Sequence, residues 1–333
     1  YGNVAKELVK LIHEQQHSIK KQYGIHLSIN GIVGSKGMIY KAQGLDLATL
    51  LTCGQGSEAL STYAHKTNIE LTKPMFEDYD TLIECSPTDM DSGEPGLSYI
   101  HQAIEQGIDI VSVSKGALVH SFTELFKKAK FHQVNIKYSG ATAAALPTLD
   151  IGEYSLAGCT ITKIEGILNG TSNFILSSMA EAALSFSEAL SLAQEKGIAE
   201  ANPALDVQGI DSAAKILLLA NGLLGTQFTI NDVEITGIEH VTKENMMNAQ
   251  AQGKTIKLIA SAEKVDQNTF KLSVKPQKLA LHHPLAHVNG TNKGIVFDTI
   301  EMGTICTTGG ASHPRGAAAA ALKDVINLYR TDR

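Results

Sequence analysis

Across residues 24–130 short apolar runs alternate with longer amphipathic stretches, and few architectures accommodate that order. Thr81-Leu82-Ile83-Glu84-Cys85 has a strand pattern, and Ile110-Val111-Ser112-Val113 has another. Between them Leu97, Ile100, Ala103 and Ile104 recur at helical spacing after Pro95, with Gly107 as a stop. A further helix carries Leu118, Val119, Phe122, Leu125 and Phe126. At the start, Val4, Leu8, Leu11, Ile12 and Ile19 mark a helix that Gly24 ends, and Leu27–Val33 reads as a strand. Strands separated by whole helices must run parallel, because a crossover returns the chain to the same end of the sheet. The expectation is α/β: a Rossmann-like doubly wound parallel sheet over 1–137. Ligands of such sheets lie beyond the carboxyl ends of the strands, so the residues that follow each strand matter most.

After residue 138 the pattern changes. Gly140–Pro147 is small-residue chain, expected to be flexible, and strand-like stretches near 160–167, 255–260, 269–275 and 295–300 are unevenly spaced. Helices are expected near 171–183, 187–196 and 210–223. This predicts a second, α+β domain over 138–309 for substrate binding and dimerisation, with the C-terminal helix of 310–333 rejoining the first domain.

Charge narrows the function. With 34 acidic and 28 basic side chains the net charge is −6, and tryptophan is absent, so a nucleic-acid surface is not expected. No apolar run reaches the ~18 residues of a membrane helix. Cys53, Cys85, Cys159 and Cys306 are widely spaced, as in a reduced cytoplasmic protein without a zinc site.

Five stretches carry candidate chemistry. Gly2-Asn3-Val4-Ala5, running into a helix, matches the tail of a G-x-G-x-x-G/A turn, with the first glycine and its strand expected before residue 1. Ser86-Pro87-Thr88 follows a strand and reads equally as an ordinary turn or a ligand loop. Lys115 follows the next strand, where a solvated lysine is the commoner outcome. Asn169-Gly170-Thr171 joins a strand to a helix and can cap it or offer N–H groups to a ligand. Asp211 and Lys215, one helical turn apart, lie on a helix that is apolar nearly all round, with Glu200 and Asp206 leading into it. A buried charge needs a partner or a task, and these acids could grip a small amino acid.

The sequence resembles the homoserine dehydrogenases of the aspartate pathway over nearly its whole length. The resemblance rests on Glu165-Gly-Ile-Leu-Asn-Gly-Thr-Ser-Asn-Phe-Ile-Leu176 and on Asp206-x-x-Gly-x-Asp211-x-x-x-Lys215. Asp91–Leu97 and His283-Pro-Leu-Ala-x-Val-x-Gly290 with Asn292 support it. It implies reversible reduction of L-aspartate 4-semialdehyde to L-homoserine with NAD(P)H, in threonine, methionine and isoleucine biosynthesis. It further implies that Gly2, Asn3, Val4 and Ala5 border the pyrophosphate, and that Ser86, Pro87, Thr88 and Lys115 line the nicotinamide side. Gly170, Thr171, Glu200 and Asp206 would then bind substrate, Lys115, Asp211 and Lys215 would be catalytic, and the protein would be a cytoplasmic homodimer. The chain departs from the family at Ser112-Val113-Ser114 before Lys115 and at Asn202, where an aspartate is usual. It departs again at Ser139, where an acid usually opens a monovalent-cation loop, so no metal is expected there. No room is left within the sequence for a regulatory or kinase domain, so a monofunctional enzyme is expected. The strand ending at Val33 leads into Gly34-Ser35-Lys36-Gly37 with no carboxylate at its tip. Ser35 and Lys36 there predict preference for NADP(H), with NAD(H) also usable.

Overall fold

The computed structural model describes residues 1–266, 269–310 and 313–330. The chain forms two units, Tyr1–Ala141 with His313–Arg333, and Thr142–Ser312.

The first unit opens with α1 (Asn3–Tyr23), closed by Gly24 at φ 74°, whose N–H donates to the Lys20 carbonyl at 3.0 Å. Only glycine takes that left-handed turn without strain. A two-stranded antiparallel hairpin follows, β1 (Gly31–Gly34) and β2 (Gly37–Tyr40). Then come α2 (Leu47–Leu51) and α3 (Gly56–Thr67). The parallel sheet is β3 (Thr81–Glu84), β4 (Asp109–Ser112) and β5 (Ile136–Lys137), in that order, with α4 (Gly96–Glu105) and α5 (Gly116–His132) as crossovers. This is the Rossmann-like parallel sheet expected from the alternation, here of three strands in sequential order.

The expected strand at Leu27–Val33 is corrected. Residues 24–30 form no ladder among the described residues, because a strand exists only where a neighbour pairs with it. Ile25, Leu27 and Ile29 still pack inward against the core, so the alternation reported burial correctly but not pairing. Val33 belongs instead to the hairpin. The expected flexible stretch 140–147 is also mostly packed: Ala141, Thr142, Ala143 and Leu146 are buried.

The second unit carries α6 (Thr148–Asp150), β6 (Ile161–Ile167), α7 (Gly170–Ala182), α8 (Phe186–Glu195), α9 (Ala204–Val207), α10 (Ile210–Leu223), β7 (Val233–Ile235), α11 (Lys243–Ala251), β8 (Lys254–Lys264), β9 (Phe270–Ala280), β10 (Lys293–Thr299) and β11 (Gly303–Gly309). Its six-stranded mixed sheet has the order β11-β10-β6-β8-β9-β7, antiparallel except for the β7–β9 pair. By register, Ile164, Phe297, Ala262 and Leu272 share one apolar face. Gly209, at φ 84°, begins α10 beside that face: a Cβ there would lie 3.1 Å from Val274. The other face carries Lys163, Glu165, Ser261 and Ser273.

The closing helix α12 (Pro314–Tyr329) belongs to the first unit. Ala318, Ala321, Leu322 and Val325 bury against Leu8, Leu11, Ile12 and Ile19 of α1. Each large side chain so buried is worth about 1.5–3 kcal/mol. Arg315 pairs with Glu14 at 2.7 Å and Glu7 at 3.3 Å across the same helix pair.

One lysine of the second unit is fully buried. Lys257 on β8 is 1% exposed and donates to the Val288 carbonyl and to Asn289 Oδ1, both at 2.7 Å. Burial, only partly opposed by the charge of Glu181, pushes its ammonium down to about 8. In the unfolded chain it would lose its proton near the ordinary 10.5. Between those values the unfolded state holds more protons, so this group makes stability rise with pH from about 8 toward 10.5. Relative to Lys257→Met, the wild type should therefore gain on the order of 1–3 kcal/mol across that window, read from urea midpoints at several pH values. A constant difference would show that the folded lysine keeps its proton throughout the window, as the unfolded one does.

Candidate active site

Two groups of residues stand where chemistry is expected, one in each unit. In the first unit the carboxyl ends of β3 and β4 lie side by side, and the turns after them carry Ser86–Thr88 and Ser114–Lys115. The Lys115 N–H points to Thr88 Oγ1 at 3.4 Å, linking the turns. Lys115 itself is the residue before α5, half-buried. The N-terminus of α1 reaches this edge: Val4 packs in the cluster that also contains Cys85 and Val113. Gly2 precedes the helix with no side-chain cap, the first turn carries no acid, and a Cβ on Gly2 would meet nothing within 4 Å. Open N–H groups and clear space at a helix start fit a dinucleotide pyrophosphate. The residues present thus suit the cofactor that the turn motif implies.

At the hairpin the geometry alters the expectation. Ser35 and Lys36 form the β1–β2 turn rather than the end of a parallel strand. Lys36 is ion-paired with Glu58 of α3, and the Ser35 hydroxyl meets that of Ser57 at 2.8 Å. The missing acid is therefore supplied from 22 residues away, and the lysine charge is shared.

In the second unit the candidates converge around Asn169, at the junction of β6 and α7. Its Oδ1 accepts from the Ser172 N–H at 2.9 Å, capping α7. Its Nδ2 donates to Asp206 Oδ1 at 2.6 Å and to Asp211 Oδ2 at 2.8 Å. The same Asp211 oxygen receives Lys215 Nζ at 2.5 Å, and Lys215 also donates to the Leu168 carbonyl at 2.8 Å. The side chains of Lys215 and Asp211 are only 12% and 14% exposed, so this is no solvated surface pair. Burial, reinforced by the charge of Asp211, holds the Asp206 carboxyl above the usual range, while the Asn169 hydrogen bond works against it. Gly170 is buried at the helix start, and Thr171 donates to the Ile198 carbonyl at 3.2 Å. Glu200 lies exposed in the loop after α8, outside this hydrogen-bonded group.

Comparison with known proteins resolves the family. Residues 1–139 match the family described as homoserine dehydrogenase, NAD binding domain, and residues 147–326 match homoserine dehydrogenase. The chain belongs to the homoserine dehydrogenase family. It is 32% identical to the homoserine dehydrogenase of Methanocaldococcus jannaschii, covering 100% of this chain and 98% of that one. It is also 32% identical to an NAD(+)-dependent homoserine dehydrogenase of Pseudomonas canavaninivorans, over 99% and 95%. A solved putative homoserine dehydrogenase from Archaeoglobus fulgidus superposes with a TM-score of 0.87 at 31% identity, covering 99% and 98% of the two chains.

Within the family's frame, sequence reasoning missed three residues. Asn169 was readable as a cap, but its second hydrogen-bonding end was not, because Asp206 and Asp211 lie 37 and 42 residues away. Glu58 is likewise remote from Lys36. Asp324 of α12 is the third: its carboxylate accepts from the Ser139 N–H at 2.9 Å and hydroxyl at 2.8 Å, and from Lys323 at 2.9 Å. Lys323 also donates to the Ser139 hydroxyl at 2.8 Å. No cluster of three or more His, Cys, Asp or Glu suited to a metal occurs among the described residues.

Replacing Asn169 separates its two jobs. Asn169→Ser keeps a capping oxygen but loses the amide donor, so folding should hold while the Asp206 carboxyl titrates at still higher pH. Asn169→Ala should in addition lose about 1 kcal/mol of stability through the cap. Carboxyl-carbon NMR of selectively labelled aspartates reads the first effect and thermal unfolding the second. An unshifted Asp206 in both variants would show that the amide does not hold it.

Proposed function

We propose that this protein interconverts L-aspartate 4-semialdehyde and L-homoserine with a nicotinamide cofactor, as an oxidoreductase of amino-acid biosynthesis. The observation that carries the reading is the largely buried Asp206–Asn169–Asp211–Lys215 group opening α10, joined to an N-terminal unit of the NAD-binding family. When bound, the nicotinamide supplies or accepts the hydride at the carbonyl carbon. Reduction makes the aldehyde oxygen negative, and it needs a proton. Lys215 spends two N–H bonds on Asp211 and Leu168, which fixes its ammonium and leaves a third for that oxygen. Asp211 keeps the lysine aimed. Asp206 and Glu200 are assigned to the substrate's ammonium as charge-assisted acceptors, and Gly170 and Thr171 to its close backbone approach. Gly2, Asn3, Val4, Ser86, Pro87, Thr88 and Lys115 are assigned to the cofactor, with Lys115 also assigned to catalysis.

Two coarser properties complete the reading. A cytoplasmic homodimer through the second unit is proposed; its support is the edge strand β11, exposed at Gly303, Thr304, Cys306 and Thr308. No helix among the described residues is long and apolar enough to cross a membrane.

The deciding assay follows reduced-nicotinamide absorbance with homoserine and each cofactor. Lys215→Ala should lower kcat by ~10²–10⁴ with folding intact, the usual span for a lost general acid or base. Lys115→Ala should also be impaired. A folded Lys215→Ala enzyme with the wild-type kcat would remove Lys215 from the chemistry.

Cofactor choice is assigned to the β1–β2 turn. NADP(H) preference is proposed, and it must be modest, because Lys36 has to exchange Glu58 for the 2′-phosphate. Glu58→Gln should therefore lower KM for NADP(H), and Lys36→Ala should raise it, with NAD(H) nearly unchanged in both. Equal changes for the two cofactors, or a wild type that prefers NAD(H), would show that this turn does not read the phosphate.

A further inference from the structure

Glu84, the last residue of β3, carries a buried carboxylate that the chemistry above does not use; it is 2% exposed. Its partners are all neutral. Oε1 accepts from the Ser86 N–H at 2.7 Å and from the Ser86 hydroxyl. Oε2 accepts from the Ser112 hydroxyl at 3.1 Å and the Ser114 hydroxyl at 2.5 Å. The pattern follows from register. Glu84 pairs with Ser112 across β3 and β4, and Ser86 and Ser114 each lie two residues on, so all four face one side. A charge taken out of water is costly unless its lone pairs are filled; here Ser86 and Ser114 fill three of them, and the Ser112 hydroxyl is shared between the carboxylate and the Ser114 carbonyl. Helix α4 adds its positive end, since a Cβ on Gly96, its first residue, would lie 3.2 Å from Oε1. A side chain at position 96 would press on the carboxylate and on the Ser86 hydroxyl.

Resting on the proposed function of this edge, we infer that Glu84 is a positioning residue: it clamps the turn Ser86–Thr88 to the turn Ser114–Lys115 and so fixes the cofactor-facing edge of the first unit. Both turns leave their strands at residues that donate to this one carboxylate. Without it Ser112 and Ser114 have no common acceptor, and the turns lose the side-chain tie that supplements the Lys115 N–H to Thr88 contact at 3.4 Å. The residue touches neither hydride nor substrate. Its effect reaches the cofactor through Ser86 and Lys115.

The test compares Glu84→Ala, Glu84→Gln and Ser114→Ala with Asp109→Ala. Asp109 binds Asn135 at the opposite end of β4, with its N–H at 2.7 Å, and serves as a stability control. Cofactor KM, homoserine KM, kcat and the Kd of reduced cofactor by fluorescence are measured for each. Glu84→Ala should raise cofactor KM and Kd on the order of 10-fold, the equivalent of one buried hydrogen-bonding group left unmatched, with homoserine KM within about twofold. Glu84→Gln should recover most of the loss, because its amide still accepts from Ser86 and donates to a reversed Ser114 hydroxyl. Ser114→Ala, which keeps the fold even if Glu84→Ala does not, should raise cofactor Kd by about threefold. Asp109→Ala should lower Tm and leave cofactor Kd unchanged. Unchanged cofactor Kd in Ser114→Ala or in folded Glu84→Ala overturns the inference, as does an equal rise in Asp109→Ala. A wild type that binds cofactor but oxidises no homoserine would instead defeat the proposed reaction, and the binding arm would still decide the role of Glu84.

Discussion

An ammonium group cannot be left alone inside an apolar helix. Lys215 is held in α10 among Ala214, Ile216, Leu217, Leu218 and Leu219, all buried. Its charge must be matched where it lies, and the chain does so with Asp211, one turn earlier. That solution creates a second problem, because Asp206 comes close enough to raise the cost of two carboxylates together. Asn169 resolves it by donating to both. The start of α7, the end of β6 at Leu168 and the turn before α10 are consequently tied into one polar knot. The rest of the second unit supports it with apolar layers.

The first unit reverses the problem. There the buried charge is the carboxylate of Glu84, and hydroxyls, one N–H and a helix end replace a cation. Neutral donors leave the charge intact instead of cancelling it. One unit thus presents a paired ammonium, and the other a braced pair of turns with Lys115 beside them.

Much of this was readable from the chain alone, and the limits have physical causes. The βα alternation of 81–132 and the apolar helix bearing Asp211 and Lys215 are local, periodic signals, and both were found. The strands β7 and β11 were not. β7 is three residues long, and β11, Gly-Thr-Ile-Cys-Thr-Thr-Gly, is a half-exposed edge with few apolar positions. The segment 27–33 shows the converse error: inward-facing apolar residues look the same whether or not a neighbouring strand pairs with them. For the site, residue types were visible and partnerships were not. The pairs Lys36–Glu58, Ser139–Asp324 and Asn169–Asp211 each span 22 or more residues, and spacing along the chain carries no trace of them.

The packing of α12 against α1 also has a temporal meaning. The first unit's core needs Ala318, Ala321, Leu322 and Val325 to cover Leu8, Leu11 and Ile12. During synthesis those four residues leave the ribosome after all of the second unit. The usual order, in which the N-terminal domain folds first, is thereby inverted. The second unit can mature while the first still exposes a strip of leucine and isoleucine. Until the last helix emerges, that strip is what a chaperone would hold, and a chain stalled short of residue 314 would be left with it uncovered.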